Sequence, residues 1–244
     1  MKNTWTIAKR EFNLFIISPI AYVVAFMLML ILGIIFFANM LIAFVNTYAP
    51  TVQFIIAPLV TLFLFSTPAL TMRTIAEEHR SGTLETLLTA PVRDWELITG
   101  KWLGSFMFYL VVIALTWVFP LILNFFVDPG IDQGLLVSGY LGVTLLVGVF
   151  VAIGVMTSSI FNNQIAAFFA TLGILLVFWM IAYPTQIAAS GGGRSILSYL
   201  DLSQHFYNSF LIGIVAVKDI VYYLSVTVLA LFLGTAIIEA RRWR

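Results

Sequence analysis

The sequence predicts an all-α polytopic membrane protein with six transmembrane helices. Hydrophobic residues make up 61% of the 244 residues and the mean hydropathy is +1.06, whereas soluble domains are roughly 45–50% apolar. Six apolar runs have about the 20 residues that a helix needs to cross a bilayer: 20–44, 52–72, 105–127, 138–160, 165–182 and 220–238. None of these runs contains Asp, Glu, Lys, Arg or His. Since they use most of the length, residues 1–244 are expected to form a single transmembrane domain.

Residues 1–19 predict an amphipathic helix that lies in the membrane interface before the first span. Trp5, Ala8, Phe12, Phe15 and Ile16 recur at helical spacing, and Lys9, Arg10 and Glu11 are assigned to the other side. Ser18 and Pro19 then end this helix. The alternative is that the first span simply begins early. The apolar stretch is too long for a signal peptide and lacks a cleavage site, so we interpret it as a retained span.

The orientation follows from lysine and arginine. Placing both termini and the loop after the second span on one side collects ten of the twelve basic residues there and leaves only Arg194 and Lys218 opposite. This asymmetry predicts that the termini and this loop are cytoplasmic.

The loop 73–101 holds nine of the chain's formal charges, although only 9% of all residues are charged. The second span is expected to continue into a short helix with Glu77, Glu78 and Arg80, which Ser81 and Gly82 end. Thr83 then caps a second helix, in which Leu84, Leu87 and Leu88 form one apolar face. A short amphipathic helix of this kind can bind in a cleft of a partner protein. The alternative is that the loop is only a solvated connector between two membrane helices.

The outer segment 184–219 joins the fifth and sixth spans. Gly191, Gly192 and Gly193 make its start flexible. Its later apolar residues are too few to cross the membrane, so re-entrant or surface helices are expected. His205 is interpreted as ordinary packing, since no histidine or carboxylate lies at ligand spacing. In the fourth span, the small residues Gly148 and Ala152, then Gly154 and Ser158, permit close helix packing.

Several function classes are disfavoured. Ion-coupled carriers hold charged groups within the membrane, and the spans have none. No catalytic constellation, P-loop or cysteine occurs, and the net charge of +1 argues against nucleic acid. The chain is therefore expected to be no enzyme and to bind no metal or other cofactor, so any energy for transport must come from a partner.

The stretch EEHRSGTLETLLTAPVRDWELITGK (77–101) resembles the signature of the ABC-2 family of ATP-binding-cassette transporter permeases. The likeness extends over nearly the whole chain, including AKREF and SPI near the N-terminus. YLDLSQHF (199–206) most resembles the branch of gliding-motility-associated and nitrous-oxide-reductase-maturation permeases.

The resemblance implies a role for each predicted segment. By this resemblance, residues 1–19 form the connecting helix, which contains Trp5, Lys9, Arg10, Phe12 and Phe15. Loop 73–101 holds the coupling helix, which contacts the ATPase. The external helices, with His205, Phe206 and Phe210, cap the translocation path. The implied coupling residues are Glu77, Glu78, Arg80, Gly82, Thr83, Leu84, Glu85, Leu87 and Leu88.

The expected partners are an ABC ATPase subunit that binds ATP and Mg, a second permease copy or sister permease, and membrane lipid. The resemblance places the complex in the bacterial cytoplasmic membrane as an exporter. Alternatively, it transmits force to a periplasmic or outer-membrane machine without transport; a periplasmic accessory protein would then dock on the external loop, with Phe206 and Phe210 in the docking surface.

Overall fold

Helices build the part of the chain that the computed structural model describes, which is residues 2–46, 49–82, 92–128, 130–181, 197 and 199–242. The helices are α1 (Lys2–Ile17), α2 (Pro19–Asn46), α3 (Gln53–Thr71), α4 (Ala76–Arg80), α5 (Asp94–Thr116), α6 (Val118–Phe126), α7 (Gln133–Ile160), α8 (Gln164–Met180), α9 (Leu202–Tyr207), a 3-10 turn (Phe210–Ile212) and α10 (Val217–Arg242). No strand occurs among these residues, and the all-α prediction is confirmed.

Among the residues that the structure describes, five helical segments are long and apolar enough to cross a membrane, and the chain is a multi-pass membrane protein. They are Pro19–Asn46, Gln53–Arg80, Asp94–Phe126, Gln133–Ile160 and Val217–Arg241. The predicted fifth run contains the shorter helix α8, Gln164–Met180. Its 17 residues extend about 26 Å at 1.5 Å per residue, a little less than the hydrocarbon thickness.

Helix α7 forms the centre of the bundle. In its most apolar window 78% of the residues are buried, against 17% in α2, and α7 packs against α3, α5, α8 and α10. Glycines permit the closest approaches: a Cβ at Gly142 would lie 2.6 Å from the Phe210 side chain, and one at Gly154 would overlap Thr71. Gly154 thus takes the close-packing role that the sequence predicted for it.

The third span differs from its prediction at its start and by a break inside it. Helix α5 begins at Asp94, not near residue 105, so the end of the charged loop forms its first two turns. The helix breaks at Trp117 because Pro120 has no N–H group and its ring displaces the carbonyl four residues earlier. That carbonyl, on Thr116, accepts instead a hydrogen bond of 3.2 Å from the Tyr140 hydroxyl.

Helix α1 packs along the start of α5 through two glycines. A Cβ at Gly100 would lie 2.8 Å from Ile7, and one at Gly104 would lie 2.8 Å from the Ala8 carbonyl oxygen. The backbones are therefore in direct contact. Ser18 separates α1 from α2, which begins at Pro19.

The orientation of α1 corrects one predicted position. Glu11 lies on the buried face, with 6% of its surface exposed, although it was assigned to the polar side with Lys9 and Arg10. That assignment was wrong because the face that packs on α5 is centred on Ala8 and Glu11, where a buried lysine of α5 binds the carboxylate. Trp5 is 57% exposed, and its place in the membrane interface stays a prediction.

Candidate functional site

One end of the bundle, here called the charged end, collects helix ends from across the sequence. The Asn3 amide donates a hydrogen bond of 3.2 Å to Glu96, which joins α1 to the start of α5. Gln164 at the start of α8 donates to the Glu77 carboxylate of α4. Arg241 of α10 donates to the Ile160 carbonyl at the end of α7, at 2.6 Å.

Lys101 is the centre of a buried ion cluster at the charged end. Its Nζ donates to Glu11 Oε1 of α1 at 2.8 Å, to Glu78 Oε1 of α4 at 2.8 Å, and to the Thr74 carbonyl oxygen at 2.7 Å. Only 1% of the lysine side chain is exposed. Three acceptors match the three N–H donors of an ammonium group, so Lys101 is fully satisfied without water.

The cluster connects three helices through one side chain. A buried charge is tolerated only when opposite charges and hydrogen bonds replace its hydration, and here these come from α1, α4 and the turn before α4. Since each carboxylate depends on the same lysine, none of the three helices can move away alone without exposing an unpaired charge. The arrangement holds them together as one unit.

Ser158 of α7 fixes the turn that leads into α4. Its hydroxyl accepts hydrogen bonds of 3.0 Å from the backbone N–H groups of Ile75 and Ala76 and donates at 3.3 Å to the Met72 carbonyl. The first N–H groups of a helix have no partner within it, and Ser158 supplies one from a neighbouring helix. Helix α4 is thereby held against the central helix of the bundle.

The predicted coupling residues fall into two groups. Glu78 joins the Lys101 cluster, Glu77 accepts a hydrogen bond from Gln164, and Arg80 is exposed. Gly82 ends α4 with a φ of +70°, a left-handed conformation that favours glycine. The remaining five, Thr83, Leu84, Glu85, Leu87 and Leu88, lie outside the described residues, as does most of the predicted coupling helix.

The predicted connecting-helix residues divide between two faces of α1. Phe12 and Phe15 pack against the core, and Phe15 stacks on Phe108 of α5 at a ring distance of 5.3 Å. Trp5, Lys9 and Arg10 are exposed.

Sequence reasoning missed Glu11, Lys101 and Ser158 as members of one site. A signal for Glu11 was present, because it lies three residues after Ala8 and four before Phe15, within the apolar stripe rather than opposite it. Lys101 lies between Gly100 and Gly104, and that four-residue glycine spacing marks a close helix contact.

The interpretation of His205 as lacking a carboxylate partner was wrong. Its Nδ1 lies 2.7 Å from Asp219 Oδ1, and its Nε2 lies 2.8 Å from the Tyr199 carbonyl oxygen. Because a carbonyl only accepts, Nε2 carries a hydrogen, and a proton must also lie between Nδ1 and the carboxylate. The partner was missed because it lies 14 residues away, beyond the spacing considered. Among the described residues, no group of three His, Asp or Glu side chains is placed to hold a metal.

Phe206 and Phe210, which the alternative function assigned to a docking surface, are fully buried. Phe210 lies against Gly142, and its carbonyl accepts a hydrogen bond of 2.9 Å from Ser138 of α7. These aromatic side chains hold the outer segment onto the bundle, so that docking assignment was wrong. Gly191, Gly192 and Gly193 lie outside the described residues.

The comparison with family models agrees with the architecture of the bundle. The model described as ABC-2 family transporter protein matches residues 46–240, which is most of the chain and includes α3 to α9 and nearly all of α10. None of the curated proteins searched matches the chain. The matched family is that of the membrane components of ABC transporters, and membership implies association with an ABC ATPase subunit. The chain therefore belongs to the ABC-2 family of transporter proteins and is a permease component of an ABC transporter.

Proposed function

We propose that the chain couples ATP hydrolysis in a separate ATPase subunit to export of a substrate across the bacterial cytoplasmic membrane. The observation that carries this proposal is the Lys101 cluster, which joins α1, α4 and α5 immediately beside the segment 83–91. The ATPase docks at the charged end, which faces the cytoplasm, and supplies the ATP and Mg site. Residues of α4 and the following segment contact it.

The cluster gives a physical route for the coupling. A force on the segment between Gly82 and Val92 acts directly on α4 and α5, and the Lys101 ion pairs transfer it to α1. Ser158 transfers it to α7, the centre of the bundle. Movement of the docked ATPase thus displaces these four helices together rather than bending one loop.

The working unit contains two permeases and two ATPase subunits, with α8 as the sixth crossing of each permease. Contacts at both ends of α8 support that assignment, because Gln164 binds Glu77 at the charged end and Trp179 lies 5.9 Å from the Tyr207 ring in α9. The chain itself performs no catalysis. Within the family, the likeness of the stretch 199–206 to the gliding-motility and nitrous-oxide-reductase-maturation branch supports a place in that branch.

The proposal is tested by purifying the native chain from its own membrane in mild detergent and identifying bound proteins by mass spectrometry. We expect an ABC ATPase with the native chain and none with a variant whose residues 82–88 are scrambled. Failure to find any ATPase with the native chain under several gentle conditions would overturn the proposal.

The role of the cluster is tested in proteoliposomes that contain the permease and ATPase together. We expect the triple variant Glu11→Gln, Glu78→Gln, Lys101→Met to retain the bound ATPase. The permease-dependent stimulation of ATP hydrolysis should fall by a factor of at least about ten. Asp128→Asn, an exposed change at the opposite end, is the matched control and should retain it. Unchanged stimulation in the triple variant would contradict the proposed route.

A further inference from the structure

A cavity of about 680 Å³ lies at the charged end between α1, the start of α2, the end of α3 and α4. Arg10 and Arg73 contribute cationic groups, whereas Leu14, Ile20, Ala69 and Leu70 contribute apolar surface. The volume is in the range of small-molecule sites. The four residues of the Lys101 cluster, Glu11, Thr74, Glu78 and Lys101, form one part of its wall.

Some charged groups in the cavity wall have hydrogen-bond or ion-pair partners among the described residues, and others do not. Glu11 and Glu78 bind Lys101, Glu77 accepts from Gln164, and Lys101 has used all three donors. Arg10 attracts Glu78 at longer range but forms no ion pair with it. Within the described part of the chain, the guanidinium groups of Arg10 and Arg73 make no hydrogen bond or ion pair. Two guanidinium groups with unused donors therefore face a space whose carboxylates are already engaged.

The cavity is polar at one end and apolar at the other. Ser81 and Glu77 line the polar end, beyond the end of α3, whereas Ala69 and Leu70 line the apolar end from the last turn of α3, a helix of membrane-crossing length. The apolar end is therefore directed toward the interior of the membrane. Leu14 is 51% exposed and Ile20 is 40% exposed, so an apolar surface continues outward from it.

We propose that this cavity binds an anionic phospholipid, with the phosphate at Arg10 and Arg73 and an acyl chain against Leu14, Ile20 and Leu70. Planar guanidinium groups bind phosphate through paired hydrogen bonds. A soluble anion would leave the apolar end uncovered, and an acidic protein segment would have to enter beside α2 and α3, which are membrane helices. A phospholipid matches both ends in the orientation that the bilayer already gives it.

The test uses the full chain purified in mild detergent, without any ATPase, and counts bound lipids by native mass spectrometry. Phosphatidylglycerol is the anionic probe and phosphatidylcholine the zwitterionic one. We expect phosphatidylglycerol to bind the native chain at least about tenfold more tightly than phosphatidylcholine. The double variant Arg10→Gln, Arg73→Gln should lose that preference.

The matched control is Lys9→Gln, Arg80→Gln, which removes the same charge from exposed neighbours in α1 and α4 that do not line the cavity. It should keep the preference. Equal binding of the two lipids by the native chain, or an equal loss in both double variants, would overturn the proposal. Displacement of phosphatidylglycerol by equimolar glycerol phosphate would also overturn it, because the site would then be one for a soluble anion.

A photoreactive phosphatidylglycerol locates the bound lipid. Cross-links should map to 10–20 and 69–81 and disappear in the Arg10, Arg73 variant. Uniform labelling of all the spans would contradict a defined site. Complete loss of these cross-links on adding the ATPase would show that a protein occupies the cavity, which also overturns the proposal. The mass-spectrometric measurement uses the chain without any ATPase, so its outcome does not depend on whether the proposed ATPase coupling is correct.

Discussion

Lys101 is a fully buried ammonium group in an apolar helix, and its stability depends on two carboxylates from other helices. Removing one partner of a buried ion pair costs about 3–5 kcal/mol, because the other charge is left without hydration. Lys101→Met leaves two such carboxylates. We therefore expect a loss of about 3–5 kcal/mol or more in the free energy of unfolding, measured by denaturant titration in detergent micelles.

The triple variant Glu11→Gln, Glu78→Gln, Lys101→Met distinguishes the effect of charge on stability from the effect of side-chain volume. It leaves no unpaired charge, and uncharged replacements of buried ion pairs are often close to neutral. At least half of the loss should be recovered. If the triple variant were no more stable than Lys101→Met alone, the destabilisation would come from packing and not from the ion cluster.

Asp219 provides a second prediction for single residues, at the opposite end. It is 1% exposed, its Oδ1 pairs with His205, and its Oδ2 has no hydrogen-bond partner in the described part of the chain. An amide in place of the carboxylate weakens the hydrogen bond to His205 Nδ1 or buries an NH2 group at the Oδ2 position. Asp219→Asn is therefore expected to destabilise the protein by about 1–3 kcal/mol.

The exposed Asp128 is the control for Asp219, and Asp128→Asn should change stability by no more than about 0.5 kcal/mol. Both are measured by the same denaturant titration. Equal effects of the two substitutions would show that the His205 pair contributes nothing to stability.

Helix α1 is held to α5 by contact between backbones, and this contact depends on Gly104. A Cβ there would lie 2.5 Å from Glu11 Cβ and 2.8 Å from the Ala8 carbonyl oxygen. Gly104→Ala must therefore push the two helices apart, at an expected cost of about 1–3 kcal/mol. Because Glu11 moves with α1, ATPase stimulation in the reconstituted complex should fall too.

Gly173 of α8 is the matched control, since nothing lies within 4 Å of a Cβ at that position. Gly173→Ala removes the same flexibility from a helix without any clash, so stability should stay equal or rise by up to about 1 kcal/mol. A loss of stability in Gly173→Ala as large as in Gly104→Ala would contradict the packing argument.

The sequence was sufficient to predict the five described helices of membrane-crossing length but not the partners of buried polar groups. Apolar run length predicted the membrane helices because the bilayer imposes it, and Gly82 predicted the end of α4 because only a left-handed residue fits there. The ion pair between Glu11 and Lys101 joins residues 90 positions apart. No local pattern specifies which distant charge fills such a site, so Glu11 was assigned to the wrong face. The break at Trp117 was similarly missed, although Pro120 was a visible signal.

At the scale of the whole molecule, the basic residues separate between the two ends of the bundle. Contacts between helix ends bring nine described lysines and arginines to the charged end, namely Lys2, Lys9, Arg10, Arg73, Arg80, Arg93, Lys101, Arg241 and Arg242. Among the described residues only Lys218 lies at the other end, where α10 begins beside α9. The connectivity of the fold thus agrees with the grouping used to predict the orientation.

This separation of the basic residues predicts which side of the membrane each end of the bundle faces. The chain has no cysteine, so Arg80→Cys and Lys218→Cys each introduce a single reactive thiol at an exposed position. Basic residues near membrane helices remain cytoplasmic. In intact spheroplasts, a membrane-impermeant maleimide should therefore label Lys218→Cys, whereas Arg80→Cys should react only after lysis. The unchanged chain should show no label in either condition. The reverse pattern would place the charged end outside the cell, where no ATP-driven subunit has a supply of nucleotide, and would refute the coupling proposal along with the orientation.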